Sequence, residues 1–175
     1  VFVTISIPRP ISSAAKGSPF DLDNEQAYLA WRERKLSAVP RSIGELCVAI
    51  QDGYQLSAQE MAAVHNALQR VNFSIYTLKG TAGEDKALIR QLGRQLGLER
   101  LDDNLCSDED SITTLKVVGK RREGEYIPYT NKRLNWHTDG YYNSPDRQIR
   151  GVILHCVQPA AAGGESALMD HEIAY

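Results

Sequence analysis

The chain has 175 residues and a formal net charge of −2, a length that accommodates one domain with a hydrophobic core. Hydrophobic residues make up 42% and charged residues 24%, as in an ordinary globular protein. The small net charge gives no electrostatic reason to expect nucleic acid, and no apolar run reaches the ~20 residues of a membrane span. We therefore expect a small-molecule partner, no nucleic acid and no membrane, and the sequence leaves a homo-oligomer open.

The three cysteines, Cys47, Cys106 and Cys156, lie at wide and irregular spacing. This pattern argues against a disulfide framework and against a cysteine-based zinc site, so we expect free, buried thiols in a cytoplasmic protein. The chain opens on Val1, and residues 172–175 have the pattern of a helix start. Both ends predict that the sequence is part of a longer protein.

The N-terminal quarter predicts an irregular arm, then a helix and a strand. Residues 8–22 are rich in proline, serine and glycine, and Asp23 predicts the cap of a helix that reaches about Leu36 and ends before Pro40. The apolar, β-prone run 45–51 predicts a strand that is closed by a turn.

The clearest helix start is Ser57, which is followed three residues later by Glu60, the pattern of a capping box. Apolar residues at spacings of three and four predict a helix to about Arg70 with one buried stripe, formed by Met61, Val64, Leu68 and Val71. Residues 72–78 alternate as a strand. A second helix is predicted from about Gly83 to Leu96, where Gly97 ends it.

Beyond an acidic loop the pattern changes to short strands, predicted at 111–118, 134–137, 148–157 and 165–169. Helices followed by closely spaced strands predict an α+β domain whose sheet part is a sandwich or a barrel.

The most informative stretch is Trp136-His137-Thr138-Asp139-Gly140. On a strand, residues two apart point to the same face, so the imidazole of His137 and the carboxylate of Asp139 can reach one ion. Together with a second histidine they would form the facial triad that holds iron(II) and leaves its remaining positions open. The alternative is a strand-end histidine beside a turn aspartate, because Asp139-Gly140 is also a good turn dipeptide.

Further residues extend the Trp-His-x-Asp motif downstream, namely Pro159, Gly163-Gly164-Glu165-Ser166, Asp170 and Ala174-Tyr175. Together these stretches resemble the taurine dioxygenase (TauD/TfdA) family of iron(II)/2-oxoglutarate-dependent oxygenases. The resemblance implies a double-stranded β-helix (jelly-roll) core. Residues 45–175 would be the first part of that core, and residues 1–44 an N-terminal arm and helix that precede it.

The resemblance also implies the residues of the site. His137 and Asp139 would be the catalytic iron ligands, with 2-oxoglutarate as co-substrate alongside dioxygen. Ser166 stands where the family has a threonine whose hydroxyl helps to hold a carboxylate of 2-oxoglutarate; its alternative role is a simple turn hydroxyl. The family's second histidine and its 2-oxoglutarate-binding arginine come later than any residue here. We do not expect His155 or His171 to replace that histidine, and the segment by itself should be inactive.

Other residues near the motif have two interpretations each. Tyr141 and Tyr142 could line the mouth of a pocket, although packing is the commoner role of such aromatics. Arg147 and Arg150 could meet an anionic substrate or lie on a solvated surface. Our hypothesis is a hydroxylase-type oxygenase that acts on an unidentified small molecule. The alternatives are a catalytically incomplete, oxygenase-like binding or structural module, and a zinc hydrolase, which would need ligands that the sequence lacks.

Overall fold

The structure, a computed structural model, describes residues 2–4, 17–80, 83–101, 112–117 and 127–174. In these ranges helices alternate with short strands: β1 (Phe2–Thr4), α1 (Glu25–Ser37), β2 (Cys47–Ile50), α2 (Ala58–Val71), β3 (Ile75–Leu78), α3 (Lys86–Gln95) and β4 (Val152–Leu154). Single turns of 3-10 helix lie at Ile43–Leu46, Ile127–Tyr129, Pro145–Arg147 and His171–Ala174. The predicted mixture of helix and strand is confirmed.

Helix α1 has a different cap from the predicted one. Asn24, not Asp23, accepts the hydrogen bond from the amide of Ala27, at 3.1 Å. The reason is a turn just before the helix, in which the amide of Asn24 donates to the carbonyl of Asp21 at 2.9 Å. The amide of Asp23 donates to the Asp21 side chain in the same turn, so Asn24 is the residue left at the helix boundary.

Helix α2 forms as predicted from its capping box. The amide of Glu60 donates to the Ser57 hydroxyl at 3.2 Å, and the Glu60 carboxylate accepts from the Ser57 amide at 2.7 Å. The helix ends at Asn72, which adopts the left-handed conformation with a φ of 61°. Its buried face is formed by Val64, Ala67 and Val71.

Helix α3 starts at Lys86 and not near Gly83, because the Asp85 side chain accepts from the amide of Leu88 at 3.0 Å and caps the helix there. Leu92 on this helix and Leu96 at its end are buried, being 0% and 4% exposed.

Strands β2 and β3 are parallel and form the centre of the core, with Cys47 opposite Ile75 and Ile50 opposite Leu78. Helix α2 connects them, as parallel neighbours require a crossover. Both strands lie inside the predicted stretches 45–51 and 72–78. Side chains from this sheet and from α2 and α3 form the main buried cluster: Val48, Ile50, Val64, Tyr76, Leu92 and Leu96.

Strand β4, which lies inside the predicted stretch 148–157, pairs antiparallel with β1 so that Leu154 is opposite Phe2. Its Ile153 packs against the main cluster. This contact attaches the second half of the described chain to the core.

Three strand predictions are wrong in the described residues: 134–137, 165–169 and 112–117, the described part of the predicted strand 111–118, are irregular. A single strand without a partner is not stable in water, and no strand of the described ranges pairs with these segments. Leu134 and Trp136 are consequently 48% and 66% exposed. The described residues form two two-stranded sheets and no double-stranded β-helix.

A buried ion pair ties α1 to the end of the chain. The ammonium of Lys35 lies 2.7 Å from Oδ2 of Asp170, and the two side chains are only 9% and 3% exposed. Asn72, at the end of α2, donates to Oδ1 of the same carboxylate at 2.7 Å, and Glu172 also pairs with Lys35. Asp170 Oδ2 accepts no well-aligned hydrogen bond and depends on the lysine for compensation.

The expectation of buried thiols is wrong for Cys47, which is exposed because it lies on the outward face of β2. Cys156 is half-buried and free, and Cys106 lies outside the described residues. Among the helices of the described ranges, we find none with the length and apolar character that a bilayer crossing requires.

Candidate metal centre

The His137-x-Asp139 pair lies in a loop whose backbone turns at the aspartate. Residues 133–138 are irregular, and a turn begins at Asp139. The amide of Asn143 donates to the carbonyl of Gly140 at 2.9 Å, and Gly140 has a φ of +66°. The Asp-Gly turn that the sequence offered as an alternative therefore does form, at the same residues as the candidate ligands.

The imidazole of His137 has a fixed orientation. Its Nδ1 lies 2.7 Å from the backbone carbonyl of Asn135. A carbonyl only accepts hydrogen bonds, so we assign the proton to Nδ1, which leaves the lone pair of Nε2 directed away from it. A histidine that binds a metal through one nitrogen commonly donates from the other in this way.

The two candidate donor atoms converge. Nε2 of His137 lies 3.6 Å from Oδ1 of Asp139, and the side chains are 48% and 53% exposed. Two ligands at right angles on an octahedral ion, with bonds of about 2.1 Å, have donor atoms about 3.0 Å apart. The observed separation is longer than this value, and the pair of one nitrogen and one anionic oxygen is a donor set that suits iron(II). Their role as ligands remains a prediction.

The other histidines near the motif face different surroundings. Nδ1 of His155 lies 2.8 Å from the hydroxyl of Tyr76, a core residue on β3. Burial lowers the pKa of His155. His171 is exposed at the start of the last 3-10 helix. Across the described ranges, no three His, Cys, Asp or Glu side chains come together as a metal site.

Ser166 lies in the irregular segment that joins two glycines to the buried Asp170. Gly163 and Gly164 have φ angles of 71° and 80°, so the chain reverses just before the serine. Ser166 is exposed. Its role toward 2-oxoglutarate stays a prediction.

Tyr141 and Tyr142 do not pack into the core, contrary to the commoner role of such aromatics. They are 78% and 67% exposed and contact each other edge to face, with ring centroids 5.3 Å apart. Arg147 and Arg150 are exposed as well. The loop that follows Asp139 thus presents aromatic and cationic side chains to solvent.

Two surface cavities among the described residues lie away from this loop. One of about 470 Å³ runs along α3, and another of about 190 Å³ lies where β2 and β3 end. Their walls contain none of the residues that the sequence singled out.

Two contributions to this centre had not been predicted. The carbonyl of Asn135 orients the histidine, and no sequence signal marks it because every residue carries a carbonyl. Gly140 allows the turn after Asp139. Its sequence signal is the Asp-Gly dipeptide, which was interpreted as the alternative to a metal site and not as part of it.

Comparison with known proteins adds the family. The model of the taurine catabolism dioxygenase TauD, TfdA family matches residues 36–175. The chain belongs to this family. The TauD/TfdA match begins at the end of α1 and includes the parallel sheet, the His137–Asp139 loop and Ser166, and it confirms the resemblance inferred from the motif. No curated protein and no solved structure matches the chain.

Proposed function

We propose that the complete protein is an iron(II)/2-oxoglutarate-dependent oxygenase of the hydroxylase type, and that His137 and Asp139 are two of its iron ligands. The observation that carries the proposal is the 3.6 Å approach of His137 Nε2 to Asp139 Oδ1, at the motif of a chain that belongs to a dioxygenase family. A second histidine, beyond the residues of this sequence, would complete the facial triad.

Each residue of the centre has a separate task. The Asn135 carbonyl accepts from Nδ1 of His137, so Nε2 is the nitrogen that would bind the ion. Asp139 supplies an anionic oxygen that favours a hard divalent cation and offsets part of its charge. The bound iron would activate dioxygen while 2-oxoglutarate is oxidised to succinate and CO2, and the substrate is hydroxylated.

Ser166 is proposed to donate its hydroxyl hydrogen to a carboxylate of 2-oxoglutarate. The support is its place in the segment that follows Gly163-Gly164 and ends at Asp170. Because Asp170 is buried and paired with Lys35, this segment is fixed at its far end. Ser166 lies four residues before this fixed point and is exposed, so its hydroxyl is accessible to a ligand.

For the fold, we propose that residues 45–175 complete a jelly roll together with later strands, with 1–44 as the arm and helix before it. We propose that the later strands would pair with the irregular segments 134–137 and 165–169, which are largely exposed. We propose a cytoplasmic location on the basis of the cysteine pattern. The substrate class is a small molecule that meets Tyr141 and Tyr142 beside the metal.

The test is conversion of 2-oxoglutarate to succinate by the complete protein, with iron(II) and air and a panel of small molecules. We expect succinate from the wild type and at least about a hundredfold less from His137→Ala, because one ligand is lost. The matched control is His65→Ala, an exposed histidine on α2, which should keep wild-type turnover. Succinate formation that survives His137→Ala would contradict the assignment.

A further inference from the structure

The loop that follows the candidate ligands brings Gly140 close to the side chain of Ile149. A Cβ added to this residue would lie 2.6 Å from both Cγ1 and Cδ1 of Ile149, and 3.1 Å from its Cβ. Ordinary van der Waals contacts between carbon atoms are about 3.5–4.0 Å. With its φ of +66°, Gly140 is also in a conformation that residues with side chains rarely adopt.

Moving the Ile149 side chain out of the way would cost conformational energy. Isoleucine is stiff at its first side-chain torsion, and its Cβ, which is attached to the backbone, is one of the atoms that an added Cβ at Gly140 would meet. The backbone beyond it soon enters β4, which pairs with β1 and places Ile153 against the core. Any collision at Gly140 is therefore relieved by moving the turn and not the strand.

The turn is also closed by hydrogen bonds. The Asn143 amide donates to the carbonyl of Gly140, and the Asn143 side chain donates to the carbonyl of Arg147, both at 2.9 Å. Asp139 is joined directly to Gly140, and its Oδ1 lies 3.6 Å from His137 Nε2. A displacement of Gly140 therefore carries the Asp139 carboxylate with it.

We propose that Gly140 is a positioning residue: because it has no Cβ, the turn can lie close to Ile149, and this position sets the distance between Asp139 and His137 at which both bind one metal ion. The proposal rests on the proposed function. An Asp-Gly turn alone would not fix the position of Asp139. In this loop, Gly140 lets the turn lie close to Ile149, three residues before β4, and Asp139 is held in place by that packing.

The test is the anaerobic iron(II) dissociation constant of the complete protein, measured beside urea unfolding of the metal-free form. Gly140→Ala should weaken iron(II) binding about tenfold or more, as loss of supporting contacts around metal ligands does. The double variant Gly140→Ala with Ile149→Ala should bind iron(II) more tightly than Gly140→Ala alone, because the two contacts at 2.6 Å, with Cγ1 and Cδ1 of Ile149, are removed.

The matched control is Gly97→Ala. Gly97 has a φ of +84° and no atom within 4 Å of an added Cβ, so its substitution strains the backbone without a collision. It should lower stability in urea yet leave iron(II) affinity within about twofold of wild type. Equal loss of affinity in the Gly97 and Gly140 variants, or no recovery in the double variant, overturns the proposal. A wild type that binds no iron(II) refutes the proposed function instead.

Discussion

At the scale of single residues, hydrogen bonds to backbone or core groups define the roles of the histidines. His137 is oriented by a backbone carbonyl and keeps Nε2 free, whereas Nδ1 of His155 is occupied by the hydroxyl of Tyr76. The sequence predicted which histidine to choose, because only His137 has an aspartate two residues on. It could not predict the orientation of either ring. The His137 ring is oriented by a backbone carbonyl, and the His155 ring by a hydroxyl on β3, which is distant in the sequence.

His155 leads to a prediction about pH. Burial lowers its pKa in the folded protein, so the unfolded chain binds the proton more readily. Its contribution to stability is complete above the unfolded pKa of about 6.5 and is lost as the pH falls from there through the lower folded pKa. Burial also raises the pKa of Tyr76, which stays protonated over this range.

The measurement is urea unfolding between about pH 5 and pH 8. His155→Asn should flatten the dependence of the free energy of unfolding on pH in this window, because the titrating group is gone. His65→Asn, at an exposed position on α2, should leave the slope as in the wild type. An unchanged slope in the His155 variant would show that other groups cause it.

At the scale of elements, local chemistry was predictable and long-range pairing was not. Helix α2 follows from Ser57, Glu60 and an apolar stripe that lie within a few turns of each other. The strands predicted at 134–137 and 165–169 have suitable side chains, but a strand exists only where a partner pairs with it. The local alternation of side chains does not show which segment, if any, pairs with a predicted strand.

The cap of α2 gives a prediction at this scale. Ser57→Ala removes the acceptor for the Glu60 amide and should lower the free energy of unfolding by about 1 kcal/mol. The control is Ser42→Ala, at the start of the 3-10 helix Ile43–Leu46, where the serine side chain makes no capping bond. Urea denaturation of both variants checks the difference; equal losses would mean that the hydroxyl of Ser57 does not act as a cap.

At the scale of the whole molecule, contacts between residues distant in sequence join α1, the core and the segment that contains the candidate centre. Lys35 on α1 and Asn72 after α2 both bind Asp170, and β4 connects the core to the loop of His137. Helix α1 was predicted from its cap and its length alone, and its Lys35 is buried with Asp170, an aspartate near the other end of the chain. Such a pairing leaves no periodic signal in sequence.

This buried pair supports the prediction at the molecular scale. Lys35→Met leaves the Asp170 carboxylate buried without its cation and should cost about 3–5 kcal/mol of unfolding free energy. Adding Asp170→Leu should recover part of the loss, since no buried charge then remains. Glu45→Gln, which breaks the more exposed pair between Glu45 and Arg70, is the control and should have a small effect. A loss for Lys35→Met as small as for Glu45→Gln would contradict the burial of this pair.

The central claim is that His137 and Asp139 hold a metal ion, and anaerobic titration of the complete protein with iron(II) tests it most directly. We predict one iron(II) per chain in the wild type, and loss of that binding in both His137→Ala and Asp139→Ala, while His65→Ala binds as the wild type does. Urea unfolding of each metal-free variant establishes that the fold is retained. Iron(II) affinity that is unchanged in folded His137→Ala or Asp139→Ala would contradict the account.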